Sequence, residues 1–210
     1  MQRAIEQRLQ LPRVIAHPVG HLAGNLTLFA DDSGEAFNDY AHMLESNPAL
    51  PVIELGLFAF LIIHIAMALR VSKENRDARA KGYSVRASLG KRTLGSGSML
   101  VTGLIIGVFL VIHMIDFRIP NWAGEVDDLA ALVKQRMASP VGAGIYFVGV
   151  VAVGIHVSHA FKSAFQTLGL THSKYTPLIE RVGLALAILL FIGFAAFPIL
   201  LFMSGGGTQS

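Results

Sequence analysis

Four long apolar stretches divide the chain: Pro51 to Val71, Gly97 to Phe117, Val141 to Phe165 and Val182 to Met203. Each carries about the 20 residues that a helix, rising about 1.5 Å per residue, needs to cross a bilayer core of roughly 30 Å. The runs are continuous and lack the alternation of barrel strands, so they predict helices. Pro198 falls near the end of the last run, where it is expected only to kink or terminate the helix.

A fifth stretch, Val14 to Ala30, is moderately apolar, but Arg3, Glu6, Arg8, Pro12 and Arg13 precede it and Pro18 interrupts it. Hydropathy alone does not make it a span. It also lacks the basic-then-apolar order of a secretory signal. Charge argues for it. With five crossings, the N-terminus (Arg3, Arg8, Arg13), the Arg70 to Arg92 segment and the Lys162 to Arg181 segment share one side and hold 14 of the 17 Lys and Arg residues. The other side has only Arg118, Lys134 and Arg136. The positive-inside rule then puts the N-terminus in the cytoplasm, whereas four crossings would put its arginines on the wrong side.

The loops carry pattern too. Phe37, Tyr40 and Leu44 share one helical face within Glu35 to Glu45, with Asp32 and Glu35 at capping-box spacing. Val126, Leu129, Val133 and Met137 do the same in the second outer loop, and both segments read as short interfacial helices. The stretch SKENRDARAKGYSVRASLGKR has no apolar period and reads as a solvated loop facing anionic head groups or a peripheral subunit.

Composition agrees with a membrane protein. Of 210 residues, 53% are hydrophobic and 15% charged, and the mean hydropathy is +0.56. The net charge of +3 is sorted by loop, which makes it a topology signal and leaves nucleic-acid binding a poor third reading. With no cysteine, the chain holds no disulfide, thiolate zinc site or cysteine-bound iron-sulfur cluster of its own. No P-loop and no dinucleotide fingerprint is present. The expected fold class is all-α: a polytopic membrane bundle of five transmembrane helices, at about 14–30, 51–71, 97–117, 141–165 and 182–203, forming one membrane-anchor domain over 1–210.

The candidate chemistry lies in histidines. An ionisable residue inside a span is costly and therefore a functional hypothesis, although a lone one is more often a packing residue. Here the depths match. His64 lies thirteen residues, roughly 20 Å, into span two, and His156 fifteen residues, roughly 22 Å, into span four, both from the outside. His113, sixteen residues into the antiparallel span three, is roughly 24 Å up, in the outer half. His21, ten residues before Asp31 in the first span, is at that outer level as well. Two histidines at each of two levels are the geometry for two bis-histidine b-type haems, each iron held by imidazoles from two helices. His17 and His159, one turn from His21 and His156, are alternative ligands or propionate contacts, while His42 and His172 read as loop residues. Glu45, His42, Glu54 and Asp116 are candidates for proton exchange with a membrane quinone, with Glu54 and Asp116 read first as helix-end charges in water.

HLAGN at 21–25, GEAFNDYAHMLESNP at 34–48, FLVIHMIDF at 109–117 and GIHVSHAFKSAFQTLGLTHSKYTP at 154–177 together resemble the five-helix, two-haem cytochrome b subunit of succinate:quinone oxidoreductases, from about residue 20 to residue 202. The resemblance departs at QRLQLPRVIAHPVG, which stands where relatives have a long apolar helix. It implies axial ligation by His64 and His156 at the inner haem b and by His21 and His113 at the outer one, or a single haem should the first span fail. It further implies FAD-containing and iron-sulfur subunits docked on the cytoplasmic face, quinone as substrate, a place in a bacterial cytoplasmic membrane, and proton exchange at Glu45. Two other classes compete: a membrane transporter whose buried histidines handle protons or a metal, and a di-haem cytochrome b serving another dehydrogenase.

Overall fold

The computed structural model describes residues 16–77, 94–167 and 174–205, which form helices and turns with no strand among them. A helix over 16–26 (α1) runs into a 3-10 turn at Thr27–Phe29. There follow α2 (Glu35–Glu45), α3 (Leu50–Asp77), α4 (Leu94–His113), a π-helical turn at Met114–Arg118, α5 (Ile119–Trp122), α6 (Leu129–Ala138), α7 (Pro140–Thr167) and α8 (Thr176–Gly205). Four segments are long and apolar enough to cross a membrane: Leu50–Glu74, Ser98–Trp122, Pro140–Gln166 and Thr176–Gly205. Among the described residues α1 is too short to join them, and its residues before 16 lie outside the described set.

The packing is uneven. α7 and α8 form a close antiparallel hairpin, α4 lies along α7, and α6 lies across α8. Leu22 of α1 fills the notch at Gly193 of α8, where a Cβ would collide with the leucine methyls. The buried apolar cluster gathers at one end of the bundle, where Leu28, Phe37, Ala130 and Met137 from the short elements close over Tyr146, Leu190, Phe197 and Leu201 of the long helices. α3 is different: none of its described side chains is buried, and Leu55, Phe58 and Ile62 are well exposed. In water such a surface would drive aggregation, whereas in a bilayer it meets lipid tails as apolar as itself.

Polar bonds lock the short helices into a cap at that end. Asn38 of α2 donates to Asp128 Oδ1 at 2.8 Å and accepts from the Ala130 amide at 2.9 Å, and Lys134 donates to the Asp32 carbonyl at 2.9 Å. Asp128 is the N-cap of α6, accepting from the Ala131 amide, and this bond with that from Asn38 holds its carboxyl below the ordinary range.

Several expectations are corrected here. The Asp32–Glu35 capping box does not form; α2 starts at Gly34, with φ +89°, and its first amides bond to Asp31. The Ser33 hydroxyl and the Ala36 and Gly34 amides pull the Asp31 carboxyl down to about 2. Gly34 is required twice, by its positive φ and because a Cβ there would strike Ala130. Pro18 lies within α1 and does not interrupt it. Pro198 is buried inside α8, which runs on to Gly205, so it does not terminate the helix. His42 belongs to α2 and not to a loop, whereas His172 and most of the basic stretch lie outside the described residues.

Candidate functional site

Four helices each bring one histidine toward the space between α1, α3, α4 and α7. The His64 ring of α3 faces the His156 ring of α7 with centroids 6.2 Å apart and planes at 78°. The His21 ring of α1 faces the His113 ring of α4 with centroids 5.8 Å apart and planes at 87°. These are the two couples that the depth argument selects. The couples are displaced along the bundle, because Tyr146 of α7 lies beside His113 while His156 is ten residues further along the same helix. At about 1.5 Å per residue, that is about 15 Å of separation.

The spacing has chemical meaning. Two imidazoles on opposite sides of one metal, each bonded at about 2 Å, have ring centres about 6 Å apart. Both couples match that separation, at 6.2 and 5.8 Å. No group of three or more His, Cys, Asp or Glu side chains converges on a point among the described residues. Two donors per site suit a metal whose other ligands come from a macrocycle, and they do not build a protein-only metal site.

The surroundings of the two couples differ. Phe109, Phe117 and Tyr146 ring His113 at 5.9, 5.5 and 6.0 Å, and Phe194 and His17 lie 5.8 and 5.7 Å from His21. The Nδ1 of His113 is buried without a hydrogen-bond partner, an orphaned polar atom of the kind that marks a functional position. At the other couple Phe60 stacks on His64 at 6.0 Å, and Thr102 Oγ1 lies 3.2 Å from His156 Nδ1. Gly149 makes room for Phe109, since a Cβ there would overlap that ring, whereas a Cβ at Gly103 or Gly107 would meet ordinary contact or open space.

His113 closes α4, and the π turn that follows aims the next polar residues in two directions, as such widened turns often do at functional sites. Asp116 Oδ2 accepts from Arg136 Nε at 2.8 Å and from the buried Tyr146 hydroxyl at 3.0 Å. Arg118 donates to both Glu54 oxygens, at 2.7 and 2.9 Å, and lies 3.6 Å from Glu45, which also accepts from Asn121. Glu54 and Asp116 are thus ion-paired and not the helix-end charges in water that the sequence suggested. Arg118 ties α2 and α3 to the end of the π turn. His159 is half-buried one turn beyond His156 on α7, and His42 is exposed on α2.

Sequence reasoning missed Thr102, Phe109 and Tyr146. The available signal for Thr102 was a polar side chain within an apolar run. For the two aromatic residues none existed, because their role depends on which helix faces His113.

No family model matches the chain, and no solved structure matches it. The succinate dehydrogenase cytochrome b558 subunit of Bacillus subtilis (strain 168) is 30% identical over 183 residues, an alignment covering 83% of this chain and 84% of the relative. An identity of that level over more than four fifths of both proteins shows that the chain belongs to the succinate dehydrogenase cytochrome b subunit family.

Proposed function

We propose that this chain is the haem b-bearing membrane anchor of a succinate:quinone oxidoreductase, passing electrons between an iron-sulfur subunit on the cytoplasmic face and quinone in a bacterial cytoplasmic membrane. The observation that carries the reading is the pair of opposed imidazole couples, at 6.2 and 5.8 Å, in a chain of this family. Bound haem b supplies reversible one-electron transfer, with a potential set by its axial ligands and their hydrogen bonds.

His64 and His156 are the ligands of the inner site, and His21 and His113 those of the outer one, which makes α1 the fifth crossing. The rings of Phe109, Phe117 and Tyr146 pack around His113, and that of Phe194 lies against His21. The capped end faces the outside. Its three basic side chains are each engaged, Arg118 by Glu54, Arg136 by Asp116 and Lys134 by the Asp32 carbonyl, so little free positive charge remains there. Glu45, held between Arg118 and Asn121 at that end, exchanges protons with quinol at its carboxylate oxygens. The FAD-containing and iron-sulfur subunits dock at the opposite end.

A visible spectrum of the purified chain, with a haem count, tests this. A reducible Soret and alpha band with two haems per chain is expected; a colourless preparation overturns the reading. His64→Ala and His156→Ala should remove the same haem, and His113→Ala the other. Retention of both haems in His113→Ala overturns the ligand assignment. Glu45→Gln should keep both bands and slow quinone reduction at least severalfold, and an unchanged rate removes Glu45 from the proton path. Copurification with a flavoprotein and an iron-sulfur subunit oxidising succinate separates this anchor from cytochromes b of other dehydrogenases.

A further inference from the structure

Thr102 is a polar side chain buried in α4, only 5% exposed, at the contact with α7. Its hydroxyl oxygen has three neighbours: the carbonyl oxygens of Ser98 and Met99, at 2.9 and 3.2 Å, and Nδ1 of His156, at 3.2 Å. A hydroxyl has one proton to give. Carbonyl oxygens only accept, and a threonine in an apolar helix characteristically bonds back to the carbonyl one turn earlier. With the proton directed at Ser98, the shortest of the three contacts, the hydroxyl has only lone pairs left for His156. Nδ1 must then carry a hydrogen and donate it to Thr102.

This choice decides which ring atom is free. A neutral imidazole holding its proton on Nδ1 has a bare lone pair on Nε2, and a hydrogen bond from Nδ1 makes that lone pair more basic. The opposite arrangement, Thr102 donating to Nδ1, would leave the proton on Nε2 and block ligation there. His113 in the other couple has no equivalent, since its Nδ1 is buried without a partner.

We infer that Thr102 is a positioning residue that fixes His156 in the Nδ1-protonated form, so that Nε2 is presented to the inner haem iron and the oxidised iron is favoured at that site alone. The inference rests on the haem reading proposed above. A more basic axial ligand stabilises the ferric over the ferrous state, and hydrogen bonding to the ligand is one of the protein's means of setting a haem potential.

The test uses the assembled, purified complex carrying Thr102→Val, which keeps the shape and removes the hydroxyl, and Thr102→Ser, which restores a hydroxyl. Haem content, a redox titration of each haem and the low-spin ferric resonance signal are measured, with the inner signal identified as the one absent in His64→Ala. In Thr102→Val the inner midpoint potential should shift upward and its resonance signal should move. The outer haem should be unchanged, and Thr102→Ser should return both properties toward wild type. If Thr102→Val instead loses the inner haem, recovery of that haem in Thr102→Ser supports the inference, and loss in both overturns it. Unchanged inner potential in Thr102→Val, or equal shifts of both haems, also overturns it. Wild-type complex without haem would sink the underlying reading itself, a result distinct from any behaviour of the Thr102 variants.

Discussion

Gly149 illustrates how one small residue controls the surroundings of His113, a ligand under the proposed function. The Phe109 ring crosses α7 at Gly149, where a Cβ would overlap it, and its other face lies 5.9 Å from His113 and 5.3 Å from Tyr146. Gly149→Ala must displace the ring, because a Cβ there would overlap its atoms. Overpacking of this kind costs about 1–3 kcal/mol. Under the proposed function, the expected outcome is a lower thermal midpoint together with a shifted spectrum for the outer haem, while the inner haem stays as in wild type; optical redox titration of the variant checks it. An unperturbed outer spectrum would mean that Phe109 has room to retreat. That His113 stands in a span was readable from the sequence, but the aromatic cage around it was not, since Phe109 and Tyr146 look like any other apolar residues until α4 is laid on α7.

Among the elements, α3 has the least protein around it, and its attachment is concentrated at two places. Near its start the two Glu54 oxygens accept from Nε and Nη2 of Arg118, and further along His64 faces His156. The Arg118 and Glu54 side chains are 25% and 39% exposed, so the pair is partly desolvated and stronger than a surface ion pair, though short of a fully buried one. Arg118→Leu strands Glu54 and frees Glu45 from a neighbouring charge. A loss of about 1–3 kcal/mol is expected from a charge-assisted bond left half-made. Amide hydrogen exchange over the first two turns of α3 should quicken by at least tenfold, with α7 and α8 unaffected; equal protection in the variant would show that lipid alone holds α3. The sequence marks α3 as a span by composition. The partner of its carboxylate, sixty-four residues away, emerges only when the π turn rotates Arg118 toward it.

Over the whole molecule, the apolar core runs from the capped end along α7 and α8, and α3, with none of its described side chains buried, faces α7 through imidazoles. In a membrane no hydrophobic force presses the two together, because lipid tails solvate α3 as well as protein does. Under the proposed function, the bound group completes the packing that the chain lacks. A ligand that binds only the folded state stabilises it by an amount that grows with the logarithm of its concentration relative to Kd. Haem-depleted protein should therefore lose protection in α3 first, with α7 and α8 keeping theirs. Exchange measured on protein made under haem limitation, and again after reconstitution, checks this. Uniform loss of protection across all helices would indicate a bundle that depends on haem as a single unit.

Local pattern alone gives the four long apolar helices and the position of His64, His113 and His156 along them, because hydropathy and a constant rise per residue are properties of a segment that survive without any partner. It also marks α2 and α6 through their apolar faces. Only the tertiary structure decides that Asp31 and not Asp32 caps the first outer turn, that Pro198 is carried inside α8, that Asp116 and Glu54 are paired, and that Thr102 reaches His156. Each of these depends on which side of a helix meets which neighbour. Rotation about a helix axis is fixed by contacts between segments distant in the chain, and no local pattern encodes it.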